Sequence, residues 1–169
     1  FLATSGTLLD LAAYGAVGPF REDFFIDAID LEWGFRAWDR GWSVWRVDEA
    51  TMEHTVGSGA IRFLGLVMPD QRPFRMYAYL RNNAYGFRLP HVPLRWKLRQ
   101  GPYLAFQALA YAWHHRFDRR VLAALAGGVW AGLRGRLGPP PGAALTGPAD
   151  PRSRPPGSDA GRHGDPAPG

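Results

Sequence analysis

The chain has 169 residues, 46% of them hydrophobic, which is enough apolar material for a packed domain and excludes a wholly disordered protein. It has no cysteine, which excludes disulfides, thiolate metal sites and a cysteine nucleophile. The formal net charge is +5, and Lys97 is the sole lysine, so the basic charge is almost all arginine. Arginine's planar fork suits phosphates and carboxylates, and the expected partners are therefore anionic: a nucleotide, a pyrophosphate lipid, an acidic membrane surface or nucleic acid.

In chain order, Ser5-Gly6-Thr7-Leu8-Leu9 reads as a strand, residues 11–17 as a short helix, and Gly18-Pro19 as its break. A second helix is expected over 28–40, stopped at Gly41, and a second strand over 42–47. Strand, helix, helix, strand at this spacing indicates an α/β layer. The start at Phe1, with no methionine, basic segment or cleavable apolar run, reads as the interior of a folded unit.

The helix over 28–40 carries the densest chemistry. With Asp27 as N-cap, Asp30 falls at the third helical position, where either carboxylate can meet free backbone N–H groups and the positive end of the helix dipole. A well-capped surface helix is one reading. The other leaves one carboxylate open at the rim of an aromatic cleft as a general base.

Downstream, Arg75, Tyr77, Tyr79, Arg81, Asn82 and Asn83 cluster in a segment compatible with helix. Pro90, Pro93 and Pro102 then divide the chain into a short segment over 94–100 and a long helix over 103–136. No apolar run is long enough to cross a bilayer, because the best, 103–113, stops at His114, His115 and Arg116. With Arg95, Lys97 and Arg99, that long helix is expected to give at most peripheral attachment to anionic membranes. The proline- and glycine-rich stretch 138–169 cannot bury enough apolar surface to offset ordering and reads as a disordered tail.

Several short motifs, taken together and in order, carry a family resemblance: Ser5-Gly6-Thr7-Leu8, Val17-Gly18-Pro19-Phe20, Phe24-Phe25-Ile26-Asp27, Asp30-Leu31-Glu32-Trp33, Arg36, Gly41 and Glu53-His54. They resemble the C-terminal half of a family-2 glycosyltransferase, in particular the bacterial rhamnosyltransferases. The block from Arg75 to Asn82 and the stretch Val92-Pro93-Leu94-Arg95-Trp96-Lys97 resemble that subgroup too.

The resemblance implies the C-terminal half of a nucleotide-sugar-binding α/β domain of GT-A type, followed by helices and a tail. The divisions expected are an acceptor-side part over 1–100, a helical extension over 101–137 and the tail over 138–169. It implies an inverting transfer of rhamnose from dTDP-rhamnose to a cell-envelope glycan or polyprenyl-lipid-linked acceptor, in the cytoplasm or on the inner face of the plasma membrane. Asp30 falls on the catalytic base, while Ile29 occupies the place of the first acid in many members and the acid appears instead at Asp27. Glu32 and Arg36 fall on polar positions further along the helix.

His54 falls where the family has a histidine near a diphosphate-bound divalent metal, Mg or Mn, whose acidic ligands belong to an N-terminal half that residues 1–169 do not supply. Arg75, Arg81 and Asn82 are candidates for holding a diphosphate or pyrophosphate, with scattered surface arginines as the alternative. Trp33 is the tryptophan expected to stack on a sugar face, and Ser5 and Gly6 leave room for a sugar. Two competing readings stay open: a non-catalytic fragment or split subunit of such an enzyme, and an arginine-rich nucleic-acid binder. The second is disfavoured by acids interleaved with the arginines and by the lack of a nucleic-acid motif.

Overall fold

The computed structural model describes residues 6–52 and 59–143, which form five α-helices, one 3-10 turn and one two-stranded antiparallel sheet. Helix α1 (Leu11–Val17) starts where Asp10 Oδ1 accepts from the N–H groups of Ala12 at 2.7 Å and Ala13 at 3.3 Å. It ends at Gly18, whose φ of +86° a side chain would strain. A 3-10 turn (Glu22–Phe24) leads to α2 (Ile29–Asp39), and Gly41 at φ +83° closes α2 where the sequence expected its stop. Val17, Trp33 and Ala37 pack between α1 and α2, with Leu9, Tyr14, Phe20 and Trp42 around them.

The strand expected over 42–47 is not formed: this stretch has no regular hydrogen bonding, and Val44, Trp45 and Val47 are exposed. A strand needs a neighbour to pair with, and among the described residues none lies alongside. Thr7 to Leu9 likewise lack regular structure, and Ser5 lies outside the described residues.

The strands lie elsewhere. β1 (Ala60–Phe63) and β2 (Leu66–Pro69) pair antiparallel, with Ile61 opposite Met68 on the buried face. Leu64 and Gly65 join them with φ of +48° and +80°, the left-handed pair that a two-residue hairpin turn requires.

Helix α3 (Pro73–Gly86) begins on a proline at its first turn, where no N–H is needed. α4 (Leu94–His114) runs through Pro102 and through the boundary expected at 100/101. An internal proline costs about 3 kcal/mol. Burial of Leu104, Ala110, Tyr111 and Ala112 beyond it offsets that cost.

The single helix expected over 103–136 is two helices. Arg116 and Phe117 adopt φ of +51° and +56°, which no right-handed helix accommodates, and Asp118 then caps α5 (Arg119–Leu133) through the N–H groups of Arg120 and Val121.

The principal core joins the hairpin, α3, α4 and α5 through Ile61, Met68, Leu80, Tyr111 and Val121, among others. The most extensive helix contact is between α3 and α5. Gly128 and Gly132 allow it: a Cβ at either would run into the carbonyl oxygens of Tyr77 and Arg81 respectively. The stretch expected as a disordered tail begins instead with a folded return. Gly138 donates its N–H to the Asp23 carbonyl at 2.7 Å, and Pro140 is buried.

Candidate functional site

The segment between the 3-10 turn and α2 is wound tightly. Phe25, Asp27 and Ala28 all have φ near +60°, a region that costs a residue with a side chain roughly 1–2 kcal/mol. Such a conformation persists only when its surroundings hold it. Three residues of α3 do so.

The Asn82 amide donates to the carbonyls of Phe24, Ile26 and Asp27 at 3.0, 2.8 and 2.9 Å. Arg81 donates to the Phe24 carbonyl at 2.9 Å and, through its other terminal nitrogen, to the Gly138 carbonyl. Arg75 grips the Asp27 carboxylate with Nε and a terminal nitrogen, at 3.1 and 3.0 Å, a charge-assisted fork that holds the Arg75 guanidinium even more firmly protonated than usual.

This corrects three sequence expectations. Asp27 does not cap α2; the N-cap position is Ala28, with no side-chain cap, and Asp27 is turned to Arg75. Arg81 and Asn82, each 1% exposed, lie beneath the loop rather than in a position to meet a diphosphate. Burial lowers the pKa of Arg81, an effect opposed by Tyr77 and Asp23.

Asp30 sits on the first turn of α2, as its second residue rather than its third, and its Oδ1 accepts from the Leu31 N–H at 2.9 Å. Among the described residues it is the one carboxylate lining an open cleft of about 470 Å³ whose other walls include Phe20, Trp33, Phe35, Trp38 and Trp45. The cleft follows one face of α2, Asp30, Gly34 and Trp38 at four-residue spacing with Leu31 and Phe35 beside them. The helix therefore presents a carboxylate and aromatic planes to the same space.

The remaining candidates of α2 serve the scaffold. The Glu32 carboxylate is buried, 3.0 Å from an Arg36 guanidinium nitrogen and 2.9 Å from His91 Nε2; the His91 contact has ion-pair distance but not the angle of a hydrogen bond. Arg36 also donates to the carbonyls of Val17 at 3.1 Å and Pro19 at 2.8 Å, which fixes the end of α1. Neither Glu32 nor Arg36, both expected to bind substrate, borders the cleft. Trp33 does border it, but is 7% exposed, stacks on Tyr14 and donates from Nε1 to the Gly18 carbonyl at 2.8 Å.

Trp38 and Trp45, 64% and 78% exposed, offer more open ring surface in the cleft than Trp33. The sequence signal for Trp38 was available: it lies eight residues after Asp30, on the same helix face. Gly6 is exposed at φ +77°, next to the cleft residue Thr7. Ser5 and His54 lie outside the described residues.

Comparison with known proteins gives one clear likeness. The chain is 32% identical over 97 residues to dTDP-rhamnosyl transferase RfbF of Shigella flexneri, a match covering 57% of the chain and 33% of the relative. The matched part thus spans about a third of that relative's length. No protein-family model matches the chain, and no solved structure matches it significantly. The likeness supports a glycosyltransferase relationship.

Proposed function

We propose that the chain is the acceptor-side, C-terminal part of a family-2, GT-A-type inverting glycosyltransferase, with Asp30 as general base. The observation that carries this reading is the Asp30 carboxylate set among aromatic planes at the rim of the cleft on α2. Aromatic faces suit the apolar faces of sugar rings, and a carboxylate beside them suits a hydroxyl about to lose its proton.

In the reaction, an acceptor hydroxyl attacks the anomeric carbon of the donor sugar, the bond from that carbon to the nucleoside diphosphate breaks, and Asp30 takes the hydroxyl proton. Trp38 and Trp45 hold the acceptor ring; the Asp27–Arg75 fork and the carbonyl contacts of Asn82 fix the loop from which α2 projects Asp30. The likeness to a dTDP-rhamnosyl transferase supports dTDP-rhamnose as donor, and the family resemblance of the sequence motifs points to a cell-envelope glycan or polyprenyl-linked glycan as acceptor.

Mg or Mn, expected from the family, needs several oxygen ligands. The cleft offers one carboxylate, and its described residues do not make a site for the ion, so no step is assigned to it.

No helix among the described residues is long and apolar enough to cross a membrane. Exposed Leu109, Trp113 and Phe117 near Arg116, Arg119 and Arg120 support peripheral contact with the anionic inner face of the plasma membrane.

Replacing Asp30 by Asn in the full-length enzyme tests the reading. The amide retains the size and can still accept from the Leu31 N–H, but it cannot take a proton. Turnover should fall by about 10²–10⁴-fold while donor affinity and melting temperature stay near parental values. Turnover above about a tenth of the parental rate refutes the base assignment.

A further inference from the structure

Away from the cleft, the chain brings three metal-ligating side chains to one point: Asp70, directly after β2, His114, the last residue of α4, and His115, the C-cap of α4. His115 Nε2 lies 3.1 Å from Asp70 Oδ1, His114 Nε2 lies 3.9 Å from Asp70 Oδ2, and one ligand atom from each of the three falls within 4.8 Å of the others. In tetrahedral zinc coordination, bonds of roughly 2.0–2.2 Å place neighbouring ligand atoms about 3.3–3.5 Å apart. Each histidine thus already lies within about half an ångström of that spacing from one of the two Asp70 oxygens, and His114, with a side chain 42% exposed, has the freedom to draw all three ligand atoms in from the 4.8 Å that now bounds them.

We propose that Asp70, His114 and His115 bind one divalent ion of the zinc class. Two imidazoles and one carboxylate select zinc, with cobalt as a close mimic, over Mg or Mn, which favour all-oxygen surroundings. Three protein ligands leave the fourth position to water.

The surroundings hold the ligands ready. Tyr111, one turn before His115, donates its hydroxyl proton to the Gln71 carbonyl at 2.6 Å, and its ring lies 5.2 Å from that of His115. The residues flanking Asp70 and His115 are thereby tied together without the ion. The carbonyls at the C-terminal end of α4 put negative potential where the cation sits.

Arg62 and Arg116 line the groove that His114 borders, and their charge opposes the cation and lowers its affinity. The ion replaces a half-exposed His–Asp contact by coordination bonds, and so clamps the hairpin to α4.

The site uses none of the cleft residues and does not depend on the glycosyltransferase reading. It is tested on the untagged protein, stripped of metal, by calorimetry with zinc and by cobalt substitution. Expected are one zinc bound per chain with micromolar affinity, a melting temperature raised by several degrees at saturation, and the visible absorption of tetrahedral cobalt.

His114→Ala, on an exposed side chain, and Asp70→Asn should each weaken zinc binding at least about tenfold and abolish the cobalt spectrum, whereas His163→Ala should change neither. Circular dichroism verifies that the variants fold. Absence of zinc binding, or binding that survives both His114→Ala and Asp70→Asn, overturns the proposal.

Discussion

Asn82→Ala is expected to be among the most damaging single truncations of a polar side chain in the described structure. The lost amide has two hydrogens serving three carbonyls, at 2.8, 2.9 and 3.0 Å, and its Oδ1 also accepts from Arg81 Nε at 3.0 Å. The net worth of a hydrogen bond is about 1 kcal/mol, and a buried carbonyl left unpaired costs about 1–3 kcal/mol.

Three N–H donations are lost, and the Phe24 carbonyl keeps Arg81 as a second donor. Against the loss stands partial relief of three left-handed residues, so the net destabilisation comes to about 3 kcal/mol. For a chain of this size that lowers the melting temperature by roughly 10 °C.

The loop should suffer first. In amide hydrogen exchange, the N–H groups of residues 24–28 and of the first turn of α2 should lose protection more than those of α4 and α5. Urea denaturation measures the global loss. A loss below about 1 kcal/mol, or protection falling evenly over all helices, refutes the view that Asn82 holds the loop.

Gly132→Ala puts a methyl against the Arg81 carbonyl and 2.8 Å from the Ala84 Cβ, and should cost about 2 kcal/mol or more despite alanine's better helix propensity. Gly15→Ala, at an exposed position inside α1 with nothing within 4 Å, should stabilise by up to about 1 kcal/mol; thermal melts rank the two. Burial raises the pKa values of the Tyr79 and Tyr111 hydroxyls above the usual 10.0. Their contribution is fully present below about pH 10, where the unfolded chain titrates, and is lost as pH rises toward the folded-state values, so urea midpoints should be flat from neutral pH to pH 9 and then fall, less steeply in Tyr111→Phe. Co-sedimentation with anionic vesicles should decrease with added salt and with Trp113→Ala, and equal sedimentation with neutral vesicles would refute the electrostatic part.

What was legible in the sequence was what local chemistry decides. α1 occupies residues 11–17 as expected, because Gly18-Pro19 ends it in any context, and Gly41 stops α2 for the same reason. The hairpin was missed: its strands have four residues each, and its turn uses Leu64-Gly65, without the Asn-Gly or Asp-Gly pair that advertises such turns. The break between α4 and α5 carries neither glycine nor proline, and was missed likewise.

At the site, the sequence named candidate residues but could not give the direction of their side chains. Asp27 satisfied a local capping rule, but a partner 48 positions away took its carboxylate. Arg81 and Asn82 read as exposed anion ligands, whereas tertiary packing turned them onto backbone carbonyls. That Asp30, Gly34 and Trp38 share one face of α2 follows from helix periodicity and needed no tertiary information.

Arg81 joins regions that would otherwise pass for separable pieces. Its side chain grips the Phe24 and Gly138 carbonyls, while its own carbonyl lies in the seam against Gly132. The C-terminal helices therefore cannot be trimmed away to leave a smaller working unit: a chain cut after α4 would lose the Gly138 return and bare the glycine-seam face of α3. An effort to shorten, fuse or transplant the cleft has to carry residues 119–140 with it, although none of them borders the cleft.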